Sequence, residues 1–320
     1  MKNYKTKRCN SSKILNINDV SSLLKQDWRR NKIKYLLIIP VLAYYVIFCY
    51  VPMYGAIIAF KDYSPSLGIL QSPWCGFENF INFFKSPYIG RLIKNTLVIS
   101  FTNLIYGFPA PILLALLINE LRSKWFARTV QTITYIPHFI SLVVVCGLLK
   151  EFTMDNGIIN DLIAFFGGKR VSMLNDPSYF VPVYVISGIW QEIGWGSIIY
   201  LAALMGVDSQ LYEAAMVDGA GRIRQIFVVT LPAIMPTIIV MLLLRIGNLI
   251  NVGYEKIILL YNPATYSTAD VISTYVYRKG LQDFDWSLST AVGLFNSVIN
   301  FALLILANFV SKKYSDTSLW

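Results

Sequence analysis

Charge is what this chain has least of. Only 14% of its 320 residues are Asp, Glu, Lys or Arg, whereas 55% are hydrophobic; soluble domains carry about 25% charged residues. The shortage argues against a water-soluble domain and for a lipid environment. Histidine is nearly absent too. The only one is His138, which excludes a multi-histidine metal centre and a histidine-based catalytic triad and reads as a packed or interfacial side chain. No HExxH, GxSxG or pair of carboxylates within one apolar run is present, so an intramembrane enzyme is disfavoured and no catalytic residue is assigned. Four cysteines make no disulfide framework: Cys9 is expected inside the cell, Cys75 outside, and Cys49 and Cys146 within apolar runs. A phosphate-binding loop is missing as well. At Gly167-Gly168-Lys169-Arg170, Ile163 and Arg170 stand where such a loop needs Gly and Ser or Thr. The chain itself is expected to bind no ATP, metal or other cofactor.

Long apolar runs are what the sequence has in abundance. A bilayer core of about 30 Å takes about 20 apolar residues in a helix. Six stretches qualify, at about Ile33–Phe60, Leu92–Asn119, Thr129–Lys150, Val181–Met205, Gln225–Ile250 and Thr290–Phe309. They predict an all-α, polytopic fold of six transmembrane helices. Residues 1–32 form a basic cytoplasmic tail with a mildly amphipathic piece over Ile14–Trp28, residues 33–313 the membrane domain, and residues 314–320 a cytoplasmic tail. The first run is too long for a signal-peptide core and is expected to remain as an anchor. Short helices are expected outside the spans at Phe77–Phe84 and Ile158–Phe166, the first lying at headgroup depth. No internal repeat of the secondary-transporter kind and no ion-filter sequence is apparent.

The formal charge of +10 could suggest nucleic acid, but its distribution excludes that partner. Ten of 28 basic residues precede Tyr35. With six spans, the segments on that side hold 17 Lys and Arg and the opposite side seven. Basic residues stay cytoplasmic, so both termini are expected inside, and the basic tail is placed to meet anionic membrane lipid.

Polar groups inside apolar runs are costly and normally face a cavity. Trp190, Gln191, Glu192 and Trp195 form such a cluster in the fourth run. Rings beside hydrogen-bonding groups suit sugars, which have an apolar face and a rim of hydroxyls; an interfacial aromatic belt is the plainer use. Arg245, Asn248, Asn251 and Tyr254 recur at spacings of three, which predicts one face of a helix and a second polar wall. Asn296 and Asn300 make an i,i+4 polar pair in the last run.

The polar stretch from Gly206 to Pro236 separates the fourth and fifth runs. Asp208 and Ser209 are cap residues for a helix over Gln210–Val217, and Gly219 and Gly221 supply a break. Here Glu213-Ala214-Ala215, three residues, Gly219, nine residues, Val229, one residue and Leu231-Pro232 resemble the EAA loop of ABC importer permeases. Val229 departs from the usual Ile, conservatively. YGAIIAFKDYSP, GFENF, the GFPAPILLALLINE to RTVQTITYIPHFIS stretch and NVGYEKIILLYNPATYSTADVISTYVYRKG resemble the branch handling oligosaccharides and polysaccharide fragments. The resemblance implies a transport subunit of a bacterial plasma membrane. Its partners would be a second homologous permease, two ATPase subunits that bind ATP and Mg, and an extracellular solute-binding protein. It also implies a coupling helix within a loop at 206–230, between the fourth and fifth spans. There Glu213 would pair with basic groups of the ATPase, Ala214, Ala215 and Val217 would seat the helix, and Asp218 and Gly219 would shape its elbow. The span before that loop lines the substrate cavity in such permeases, which maps onto Trp190, Gln191, Glu192 and Trp195. An ABC permease for an amino acid or peptide is the alternative.

Overall fold

The computed structural model describes residues 17–315 and 317–320. Among these residues the chain is helical, with one isolated bridge between Lys61 and Trp74 and no strand. The described residues divide into two compact units, one ending at Ile57 and the other beginning at Ile58. The first holds helix α1 (Ile17–Tyr45) and the helical turns that continue it. The expected tail over residues 1–32, with Cys9, lies outside the described residues as far as Asn16; from Ile17 the chain is helical. The run Arg30–Phe60 is long and apolar enough to cross a membrane, and no residue of its most apolar window is buried. A helix apolar on every face is what lipid surroundings demand.

The second unit carries α2 (Glu78–Lys85), α3 (Ile89–Thr102), α4 (Pro109–Asn119), α5 (Lys124–Tyr135), α6 (Leu142–Thr153), α7 (Ile158–Phe165), α8 (Pro177–Met205), α9 (Ser209–Val217), α10 (Leu231–Ile246), α11 (Tyr254–Leu260), α12 (Ile272–Tyr277) and α13 (Trp286–Tyr314). The short helices expected near residues 77–84 and 158–166 are α2 and α7. Three of the four π turns among the described residues, Val46–Tyr50, Asn103–Gly107 and Ile226–Thr230, each end two positions before a proline, at Pro52, Pro109 and Pro232. Proline lacks an N–H and collides with the carbonyl four residues back. That carbonyl lies inside the π turn each time, so the widened turn lets a continuous helix pass the proline.

Four helical runs are long and apolar enough to cross a membrane: Arg30–Phe60, Ile89–Asn119, Arg222–Ile246 and Trp286–Lys313. The run expected over Thr129–Lys150 is not one straight helix. It bends by 99° between Lys124–Phe139 and Leu142–Phe165, and this pair makes a fifth span if counted as one. Pro137 and the Ser141 cap, whose hydroxyl accepts from the Val144 N–H, account for the break. The run expected at Val181–Met205 lies within α8, whose 29 residues reach about 43 Å; Gln191 and Glu192 at its middle make it less apolar than the others.

Helix α8 is the element around which this unit packs. Phe180, Tyr184 and Val185 form a core with Ile257 and Leu260 of α11, while Tyr200 and Leu204 form another with Ile112 and Ala115 of α4. Contact with α5 depends on a missing side chain, because a Cβ at Gly194 would stand 2.1 Å from the Thr134 carbonyl oxygen. Backbone cannot yield as a flexible side chain can. Gly194→Leu is therefore expected to remove most of the monodisperse protein recovered from membranes. Gly196→Ala, which meets only the Pro111 ring, Cγ at 3.0 Å and Cβ at 3.2 Å, should cost far less in the same size-exclusion assay.

Asp270, fully buried, ties distant parts together. It pairs with Arg91 of α3 at 2.9 Å and Arg278 at 2.7 Å. Thr274 donates to its carboxylate at 2.8 Å and Asn95 to its backbone carbonyl at 2.9 Å. Among the described residues Cys49, Cys75 and Cys146 are free.

Candidate functional site

The central cavity of the second unit has a volume of about 650 Å³. One wall is α8. Gln191, Glu192 and Trp195 line it, but Trp190 does not and is 47% exposed elsewhere on the helix. Successive residues turn by about 100°, so the cluster 190–195 could not all face one way.

The α5–α6 break organises the three inward residues. His138 Nδ1 lies 3.0 Å from Glu192 Oε2, and its ring stacks on Trp195 at 4.5 Å and 2°. Gln191 Nε2 donates to the Ile140 carbonyl at 3.5 Å, a long bond. The packed, interfacial reading of His138 understated it, since the histidine fixes both the charge and the ring of the α8 wall. The sequence signal was Pro137 beside it, which breaks the helix and turns the His138 side chain toward α8.

Arg245, Asn248 and Asn251 line the same cavity, but not as one helix face. Helix α10 ends at Ile246, and residues 247–253 are turns and coil. Asn300 of α13 stabilises that segment by accepting the Ile250 N–H at 3.1 Å. Tyr254 stands outside the lining and stacks on Tyr277 at 5.4 Å. Asn296 Oδ1 is buried without a partner.

Lys256 is a lining residue the sequence reading missed. It is 8% exposed, donates to the Tyr184 carbonyl at 3.1 Å and lies over the Tyr184 ring at 5.0 Å. Burial pushes its ammonium down to about 8, the direction a desolvated cation takes.

Helix α9 lies apart from the cavity. Asp208 caps it by accepting from the Gln210 N–H at 2.9 Å. Its far end closes with Ala220 N–H donating to Ala215 and Gly219 N–H to Met216, Gly219 having φ +77. This paired closure about a left-handed glycine is the Schellman arrangement. Tyr212 Oη and Thr230 Oγ1, 3.0 Å apart, fasten α9 to the next helix. Glu213, Ala214, Asp218 and Gly219 are exposed and Val217 is 88% exposed, whereas Ala215 turns inward and is buried. Ala215 therefore packs within this chain. Leu211 and Met216, not singled out from sequence, add to the exposed apolar surface.

Residues 107–316 match the family described as the binding-protein-dependent transport system inner membrane component. The chain belongs to this family. Protein LplB of Bacillus subtilis (strain 168) is 48% identical, covering 91% of this chain and 92% of its own. The polygalacturonan/rhamnogalacturonan transport system permease protein YteP of the same organism is 48% identical, covering 91% of each. A chain in the crystal structure of a bacterial ABC transporter involved in the import of the acidic polysaccharide alginate superposes with TM-score 0.84 at 46% identity, covering 91% of this chain and 98% of that one. A structure of a bacterial alginate ABC transporter, in complex with alginate pentasaccharide-bound periplasmic protein, contains a chain with TM-score 0.85 at 45% identity, covering 92% and 99%. This permease is thus an ABC-transporter membrane subunit.

Membership makes the His138–Glu192 contact testable in transport. Both side chains are partly exposed, at 28% and 57%, so the pair is worth at most about 1 kcal/mol of stability. His138→Ala should leave the melting temperature of the purified permease within a few degrees, yet lower uptake several-fold, because Glu192 and Trp195 lose the group that orients them.

Proposed function

We propose that this permease is the membrane-spanning subunit of an ATP-driven importer of oligosaccharides or polysaccharide fragments. Its four apolar helical runs, the bent α5–α6 pair and α8 make six spans, with both termini cytoplasmic. Residues 33–313 form the permease domain, flanked by tails at 1–32 and 314–320. A second homologous permease supplies the other half of the pathway, and a solute-binding protein delivers the sugar from outside. Two ATPase subunits bind ATP and Mg and drive the cycle.

The α9 segment is the coupling helix. Glu213 pairs with basic groups of the ATPase, Ala214 and Val217 seat the helix, and Asp218 with Gly219 sets its elbow. Within the cavity, Trp195 offers a ring for a sugar face, while Gln191, Glu192, Arg245, Asn248 and Asn251 offer hydrogen bonds to hydroxyls; Trp190 and Tyr254 do not reach it.

The observation that carries this reading is the cavity of about 650 Å³ whose wall sets an indole beside amide, carboxylate and guanidinium groups. A polysaccharide-permease relative and an alginate transporter that share nearly the whole chain support it. The test is uptake of labelled plant and algal cell-wall oligosaccharides by proteoliposomes holding the complex purified from native membranes. ATP-dependent accumulation is expected. Accumulation of amino acids or peptides instead would overturn the substrate class.

A further inference from the structure

The charges of the cavity do not balance. Arg245 and Lys256 both line it, and among the described residues neither comes within ion-pair distance of a carboxylate. Its one acid, Glu192, is held by His138. Lys256 is 8% exposed and its ammonium donates to one acceptor, the Tyr184 carbonyl. Three N–H donors with one acceptor leave two unused. Gly188 keeps the approach to that ammonium clear, since even a methyl group there would stand 3.5 Å from Nζ. On the same lining, the Ser100 hydroxyl is buried without any hydrogen-bond partner.

A buried cation without a counter-ion is expensive, and buried polar groups are ordinarily satisfied. Two unpaired cations and an orphan hydroxyl in one cavity fit an anionic ligand that also carries hydroxyls. A neutral sugar would leave both cations unpaired.

We propose that Arg245 and Lys256 are specificity-determining residues that select oligosaccharides bearing carboxylates, that is uronic-acid units, over neutral ones. This rests on the oligosaccharide-importer reading. The carboxylate accepts from the guanidinium or the ammonium, and the hydroxyl rim pairs with Ser100, Asn248 and Asn251. His138 acts as a positioning residue here, because a Glu192 released from it would repel the same carboxylate.

The experiment uses the complete importer in proteoliposomes with its own binding protein. The probes are galacturonate, mannuronate and glucuronate oligosaccharides, each beside its carboxyl-reduced neutral counterpart. Wild type is expected to take up at least one acidic oligosaccharide. Lys256→Met and Arg245→Gln should each lower that uptake about tenfold, the weight of a charge-assisted hydrogen bond, while Lys256→Arg retains most of it. Lys256→Met should change uptake of any neutral counterpart that wild type accepts less than twofold, whereas Arg245→Gln, which also loses bonds to hydroxyls, should lower it, but by much less than it lowers acidic uptake. Arg245 is exposed, so its replacement does not threaten folding. Unchanged acid uptake in both variants, or equal loss of acidic and neutral sugars, would overturn the proposal. So would wild-type uptake confined to neutral or phosphorylated sugars, which leaves the importer reading standing. Failure to take up any saccharide would sink both.

Discussion

Replacing Gly219 by valine is expected to abolish uptake while leaving the permease in the membrane. Its φ of +77 closes α9, and nothing lies within 4 Å of where a Cβ would be. The cost is therefore conformational rather than steric. A left-handed backbone costs an L-residue about 1–2 kcal/mol, and a β-branched side chain is especially ill suited to it. The paired hydrogen bonds from Gly219 and Ala220 would open, and the exposed face of Glu213 and Val217 would lose its position. Only the coupling is at stake, because α9 contributes little to the core beyond Ala215. Uptake should fall to background at unchanged protein yield, with residual ATP hydrolysis no longer stimulated by loaded binding protein. Glu213→Lys should act similarly through charge. Normal uptake by both variants would refute the coupling role.

Asp270→Ala should be the most destabilising single change outside the helix crossings. The carboxylate is fully buried between two guanidinium groups. Removing one partner of a buried pair costs about 3–5 kcal/mol because the remaining charge is left uncompensated. Arg91 and Arg278 are 35% and 24% exposed, so water softens the loss toward the lower figure. Arg91 Nε and one terminal nitrogen of Arg278 already lack partners, leaving the cluster little slack. Thermal unfolding in detergent should drop by many degrees. Asp270→Asn, which keeps the hydrogen bond with Thr274, should lie between. A melting temperature within two degrees of wild type for Asp270→Ala would show that the cluster does not hold α3 to α12.

What the sequence made legible follows local rules. Asp208, Ser209 and Gly219 mark the ends of α9 because caps and left-handed glycines act within one turn. Gln191, Glu192 and Trp195 face a cavity because polar groups inside an apolar run have few other places to go. The misses come from contacts far apart in the chain. Spacing of three from Arg245 to Tyr254 resembled a helix face, but α10 stops at Ile246 and Asn300, 50 residues on, holds the segment that follows. Asp270 needs Arg91, 179 residues earlier, before it reads as anything but a loop acid. Lys256 is hidden by its own apolar neighbours until Tyr184 and Gly188 are placed beside it. Trp190 is the exception, since helical rotation alone could have separated it from the cluster.

If α9 is where this permease receives the work of ATP hydrolysis, its exposed face must touch an ATPase subunit. Val217, the most exposed large hydrophobic residue of that helix at 88%, is the position to probe. A photo-crosslinking amino acid placed at 217 in the intact importer, irradiated in native membranes, tests contact directly. One dominant adduct is expected, with an ABC ATPase subunit, and its yield should change when ATP is added. Adducts confined to lipid, or none with an ATPase from any nucleotide state, would contradict the coupling role.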